Sequence, residues 1–320
     1  MRRLPETSRS SASIGIAWSR SRSWVFKRRL PKTSVLDKSE SPVKGGHIDV
    51  NSPLFADRLP ALAAFVRDQA GELERGVLRE RQSLDQRIRV FCNSERMREI
   101  EAVAPGWQAM AQFSDGATLI HVVKAMIALQ LLPEYRGAPS DLRAMMEWSV
   151  FYHDIGKQAV AGKRDALHAF RSAALTARAL PLAGFGTARP YAESLESWVA
   201  LALSAFLPAP DGNGFVQDNR ALPRILAGSE QLFGTRSPAA LIVQAVLLHQ
   251  SLDVVPEWPN AASLTEAEAP QCVSPALLPL LEGVMLVDSD AWQLLDPPRK
   301  AHFRQSTLAA FERVRRLVIA

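Results

Sequence analysis

Seven residues near the middle of the chain, Phe151-Tyr152-His153-Asp154-Ile155-Gly156-Lys157, set a His-Asp pair at the end of an apolar run. Imidazole and carboxylate are expensive to bury unless they are paired or coordinated. Together they suit Mn, Fe, Co, Ni or Zn. The chain has six histidines, and His121, His168 and His249 also lie in apolar or amphipathic helical patterns. Asp288 closes the apolar run Val284-Met285-Leu286-Val287. This set points to a His/Asp metal centre built from several helices. Lys157, one turn after His153, can neutralise an anionic group at such a centre. His168, Arg171, Ser172 and Leu175 share one helical stripe, which puts a ligand, a phosphate-binding cation and a hydroxyl on one face.

Each residue also has a plainer reading. A lone His on an apolar face, such as His121, is ordinarily a core side chain bonded to a backbone carbonyl. His153 and His249 near helix ends are favoured by the helix dipole, but the same dipole disfavours Asp154. His168 and Arg171 can simply be solvated. Asp288 and Asp290 point to nearly opposite sides of a helix, so only one can face inward, and Asp288 is the expected one. Glu147 shares the face of Asp154 two turns away and is read as exposed.

The order and setting of His121, His153-Asp154 within His-Asp-Ile-Gly-Lys, His168, His249 and Asp288 resemble the HD-domain superfamily of metal-dependent phosphohydrolases. The resemblance covers residues 110–295. It implies an all-α bundle whose separate helices bring a lone His, the His-Asp pair and a distant Asp to one ion. Its bimetallic members add two histidines, which implies a second ion on His168 and His249 with Asp154 between the two. The implied activity is cleavage of a nucleotide or other phosphoester through metal-activated water, with Asp154, Lys157 and Arg171 as catalytic residues. The paired His-His and Gly-Tyr-Pro strings of the cyclic-dinucleotide branch are missing, since Gln250 follows His249; this departs from cyclic-di-GMP hydrolysis. Two alternatives stay open. One is a di-iron oxygenase with the same ligand set, and the other is a non-catalytic metal- or nucleotide-binding regulatory module. No Walker A, Gly-x-Gly-x-x-Gly, Cys-x-x-Cys or Gly-x-Ser-x-Gly string competes with these readings.

The elements that must position these residues read as helices throughout, so the fold class is all-α. Expected helices start near Leu59, fill 71–101 as one long or two shorter surface helices, and run Ala117–Leu132 to a stop at Pro133. The next is capped by Asp141, carries His153-Asp154 at its end, and stops at Gly156. Others are expected over Asp165–Leu180, Ser194–Leu207, Ala239–His249, Leu277–Leu295 and Lys300–Ile319. Pro208–Asn219 reads as a loop and Pro256–Pro275 as an irregular connection, with no convincing strand.

Three segments follow: a basic disordered tail over 1–48, an N-terminal helical addition over 49–110, and an HD-type core over 111–320. Residues 1–46 hold eleven Lys/Arg against three acids, so this segment carries +8 of a chain whose net charge is +5. The remainder is mildly acidic, and any nucleic-acid contact is expected only through the tail. A cleaved transit peptide is the other reading of that segment. The 47% hydrophobic and 22% charged content is that of an ordinary globular protein. No apolar run reaches the ~18 residues of a membrane helix. Cys92 and Cys272 read as reduced thiols of a cytoplasmic protein, and the expected partner is a small phosphoester or nucleotide.

Overall fold

In the computed structural model, which describes residues 52–158, 165, 167–188, 190–208, 215–252 and 263–319, the chain is helical with one small hairpin. The helices are α1 (Phe55–Arg58), α2 (Pro60–Glu74), α3 (Arg81–Phe91), α4 (Ser94–Val103), α5 (Trp107–Ala111), α6 (Ala117–Leu131), α7 (Pro133–Arg136) and α8 (Ser140–Tyr152). They continue as α9 (His168–Ala179), α10 (Tyr191–Leu203), α11 (Leu222–Phe233), α12 (Pro238–Leu248), α13 (Ala269–Cys272), α14 (Leu278–Trp292) and α15 (Pro297–Ile319). Strands β1 (Phe206–Pro208) and β2 (Phe215–Gln217) pair antiparallel between α10 and α11. The expected tail, residues 1–48, lies outside the described residues, as does most of the connection after Leu252.

Two helices form the centre. Every residue of α6 from Thr118 to Leu129 is buried, and so is every residue of α12 from Ala239 to Leu248. A helix apolar on all sides has to be surrounded. Helices α2, α3, α8 and α14 enclose α6, and α8, α9, α11 and α14 enclose α12. Thus α8 and α14 touch both central helices, and the four form the frame of the site. Both central helices have local start signals. Gly116 precedes α6 with φ +79°, a left-handed conformation open to Gly. Ser237 caps α12 by accepting from Ala240 N–H, with Pro238 at its first position.

Helix α9 packs on α12 through small side chains. Ala169, Ala173 and Ala177 are fully buried and hold no bulk between the axes. Helix α8 is anchored by rings: Phe151 stacks on Trp107 with centroids 4.5 Å apart, and Phe55 meets both Trp148 and Phe151 edge-on at 5.0 and 5.2 Å. Helices α1 to α5 lie in the same compact unit as the later helices, with α2 and α3 both packed on α6.

The boundaries differ from expectation in several places. Residues 71–74 close α2, and the rest of the 71–101 segment takes the two-helix alternative, because the Asn93 side chain accepts from Glu95 and Arg96 N–H and starts α4 afresh. Pro133 opens the short α7 as well as ending α6. Asp141 lies in the first turn of α8 and does not cap it. Helix α8 stops at Tyr152, so His153-Asp154-Ile155-Gly156 form a turn beyond its end rather than its last turn. The expected Pro208–Asn219 loop contains β2, and α11 arises where no helix was read. Cys92 and Cys272 are free thiols. No described helix is long and apolar enough to cross a membrane.

Candidate metal centre

The turn after α8 is where the local sequence matters most. Ile155 N–H donates to Tyr152 O at 3.1 Å and Lys157 N–H to Asp154 O at 2.9 Å, closing the chain into two tight turns. Gly156 then lies flat against α9. A Cβ at this position would come within 2.5 Å of Ser172 N and 2.6 Å of the Arg171 carbonyl carbon, so only Gly fits. Gly156 N–H donates to Ser172 Oγ at 2.9 Å, and Arg171 Nε donates to Gly156 O at 3.0 Å. These contacts fix His153 and Asp154 against the start of α9, where His168 sits.

The structure brings all six expected ligands together. His121 from α6, His153 after α8 and Asp288 from α14 form one group capable of holding a metal ion; Asp154, His168 and His249 form a second. His121 Nε2 lies 2.7 Å from Asp288 Oδ1, and His153 Nε2 lies 3.4 Å from His121 Nε2 and 3.6 Å from Asp288 Oδ1. In the second group, His168 Nε2 lies 3.1 Å from Asp154 Oδ1 and 3.1 Å from His249 Nε2. Asp154 stands between the groups. Its Oδ2 faces His121 and His153, each at 3.8 Å, while its Oδ1 faces His168 and His249 at 3.1 and 3.7 Å.

The imidazole tautomers favour a cation. His153, His168 and His249 each donate Nδ1–H to the carbonyl three residues earlier, Val150, Asp165 and Val246, at 2.7, 2.5 and 2.6 Å. A ring that donates through Nδ1 presents an Nε2 lone pair when neutral. His168 and His249 therefore aim two lone pairs at each other across 3.1 Å, a repulsive arrangement unless positive charge lies between them. Two nitrogens on one ion at ~2.0–2.1 Å sit about 3.0–3.4 Å apart, which the 3.1 and 3.4 Å Nε2 separations match. His121 differs: its Nδ1 is buried with no hydrogen-bond partner among the described residues.

Burial and charge keep His121, His249, Asp154 and Asp288 in their binding forms. Burial holds the His121 and His249 imidazoles below their usual range. Burial also presses on His153, but Asp154 and Asp288 outweigh it and raise that ring. Burial would raise Asp154; Lys157, His153 and His168 instead hold it well below the carboxylate range. Asp288 is likewise low, because His121 and His153 outweigh its burial.

The two expected cations part ways. Lys157 Nζ donates to Asp154 Oδ2 at 2.7 Å and so borders the cluster. Arg171 is engaged elsewhere, by the Asp165 carboxylate and the Gly156 carbonyl. It braces the turn, and no described contact brings it to the ligands. The cause is Asp165, which sequence reading passed over. Its carboxylate accepts from Gln158 N–H at 2.8 Å and pairs with Arg171, and its carbonyl orients His168. An acid three residues before a candidate ligand and six before an Arg is the signal that was available. Asp288 joins the cluster, as expected, but the expectation that only one of the two acids faces inward fails. Asp290 is not exposed but buried and paired with Lys300 at 3.1 Å. Glu147 is half-buried and accepts from Tyr135 OH at 2.8 Å, away from the ligands. Compared with protein-family models, curated proteins and solved structures, the chain matches none.

Proposed function

We propose that this chain is a metal-dependent phosphohydrolase that acts on a nucleotide or another phosphoester and holds two divalent transition-metal ions (Mn, Fe, Co, Ni or Zn). The observation that carries this reading is the division of Asp154, one oxygen toward His121 and His153 and the other toward His168 and His249. In this reading His121, His153 and Asp288 hold one ion, His168 and His249 hold the other, and Asp154 is shared.

Bound ions would supply Lewis acidity toward phosphoryl oxygens and lower the pKa of water. The protein's own groups supply the rest. The carbonyls of Val150, Asp165 and Val246 keep three imidazoles in the ligating tautomer. Lys157 holds the Asp154 carboxylate ionised, and with its side chain 30% exposed its ammonium borders the route a substrate would take. Asp288 is the most exposed ligand, at 21%, so substrate reaches the centre from its side. The buried remainder limits water to that side, and charge interactions are strengthened among the buried ligands.

Manganese-loaded protein is expected to hydrolyse bis(p-nitrophenyl) phosphate. Asp154→Ala should lower the rate about a hundredfold or more, and Lys157→Ala about tenfold to a hundredfold with metal content kept. Absence of phosphoester cleavage, together with oxygen consumption by the iron-loaded protein on an added organic substrate, would replace this reading with an oxygenase.

A further inference from the structure

A cleft of about 120 Å³ runs along the side of the metal cluster between α3, α6 and α14. That is about eight times the ~15 Å³ that admits one water molecule, enough for a group of phosphate size. Its wall includes His121 and Trp292, whose rings stack with centroids 4.6 Å apart, so the cleft abuts the ligands.

Its charge is unbalanced. Arg81, Asp85 and Arg89 are spaced four apart on α3 and so form one stripe, and all three line the cleft with Lys124 of α6. Lys124 is 4% exposed on the buried helix α6 and is paired with Asp85. That pairing uses the one acid in the lining and leaves two guanidinium groups. Arg89 is fixed at the rim by donating to the Asp115 carbonyl at 2.6 Å. The Arg81 guanidinium has no ion pair or hydrogen bond among the described residues. Guanidinium groups with spare donors match the oxygens of a phosphate.

We propose that this cleft is an anion subsite that binds a phosphate group of the substrate other than the one being cleaved, an inference that rests on the phosphohydrolase reading. Arg81 and Arg89 are the binding groups. Lys124 and Asp85 tie α3 to α6 and keep the two arginines on the cleft. The N-terminal helical segment thereby becomes part of substrate recognition. A substrate with two phosphate groups spans the cluster and the cleft, whereas one with a single phosphate engages only the cluster.

The test is calorimetric titration of manganese-loaded full-length protein with pyrophosphate, with metal content measured on the same samples. The Arg81→Ala/Arg89→Ala double variant should bind at least tenfold more weakly, with helix content and metal content unchanged. Arg81→Lys/Arg89→Lys should recover part of the loss. Inorganic phosphate, too short to span both places, should be affected less than threefold. Unchanged pyrophosphate affinity in the double variant, or no binding by the native protein, would overturn the subsite. Metal loading that survives in that same protein would leave the reading of the cluster standing. Conversely, a protein that takes up no metal yet loses pyrophosphate affinity in the double variant would keep the cleft and remove the phosphohydrolase reading.

Discussion

The two halves of the cluster are built from the same residue types but held differently. Asp154, His168 and His249 are all almost fully buried, and both imidazoles are locked by backbone carbonyls. The group of His121, His153 and Asp288 has one locked ring, one ring with an unpartnered Nδ1, and a carboxylate that reaches solvent. The inner half is fixed by backbone geometry. The outer half is fixed mainly by its ligands' attraction for one another. This division suits a centre that keeps one ion permanently and exposes the other to substrate and to exchange.

The sharpest way to break this comparison is to remove one ligand from each half. His249→Ala should cost the inner ion and His121→Ala the outer one, each leaving about one metal per chain by elemental analysis. In the native protein, chelator should strip the ions in two phases, the outer one first. Equal rates for both ions would show that the difference in anchoring has no consequence for exchange.

A smaller effect is expected where the turn meets α9. Gly156→Ala forces a Cβ into the backbone of Arg171 and Ser172, which cannot give way as a side-chain tip would. The cost should be about 1–3 kcal/mol in denaturant unfolding, the usual range for overpacking. Inner-ion affinity should fall more than outer-ion affinity, because His168 follows directly from that contact. A variant as stable as the native protein would mean the turn is free to lift off α9.

The smallest effect comes from a half-buried acid outside both halves. Burial holds the Glu147 carboxyl above its usual range, although Tyr135, Arg67 and Arg143 oppose this. Its folded-state pKa is raised, so the unfolded chain gives up the proton first and stability falls as pH climbs from about 4.3 through the folded value. Glu147→Gln cannot ionise and keeps an acceptor for Tyr135. Its Tm relative to the native protein should therefore rise between pH 4.5 and 7, by a few degrees at most. A gap that is constant with pH would show that this carboxyl does not titrate differently in the two states.

The cluster was legible in the sequence because polar residues in apolar runs have few ways to be stable. Asp288 stood out for that reason, and His121 through its company with the His153-Asp154 pair; both are in the cluster. The central helices were legible too, since α6 and α12 are predominantly apolar and α6 is bounded by Gly116 and Pro133. The end of α8 was not, because Gly156 suggested a helix stop when its work is to let the turn touch α9. The partners of Arg171 were hidden for a related reason: helical spacing places it near His168, but only the fold shows Asp165 holding it. The stripe of Arg81, Asp85 and Arg89 looked like an ordinary solvated surface, because nothing in the α3 sequence reveals that α6 offers Lys124 opposite it.

The central claim is that Asp154 joins two ions, one per half. Anomalous diffraction from crystals of manganese-loaded protein tests it most directly. The account predicts two peaks flanking the Asp154 carboxylate, one beside His121, His153 and Asp288 and one beside His168 and His249, with the second alone remaining in His121→Ala. A single peak on one side of Asp154 in the fully loaded native protein would contradict it.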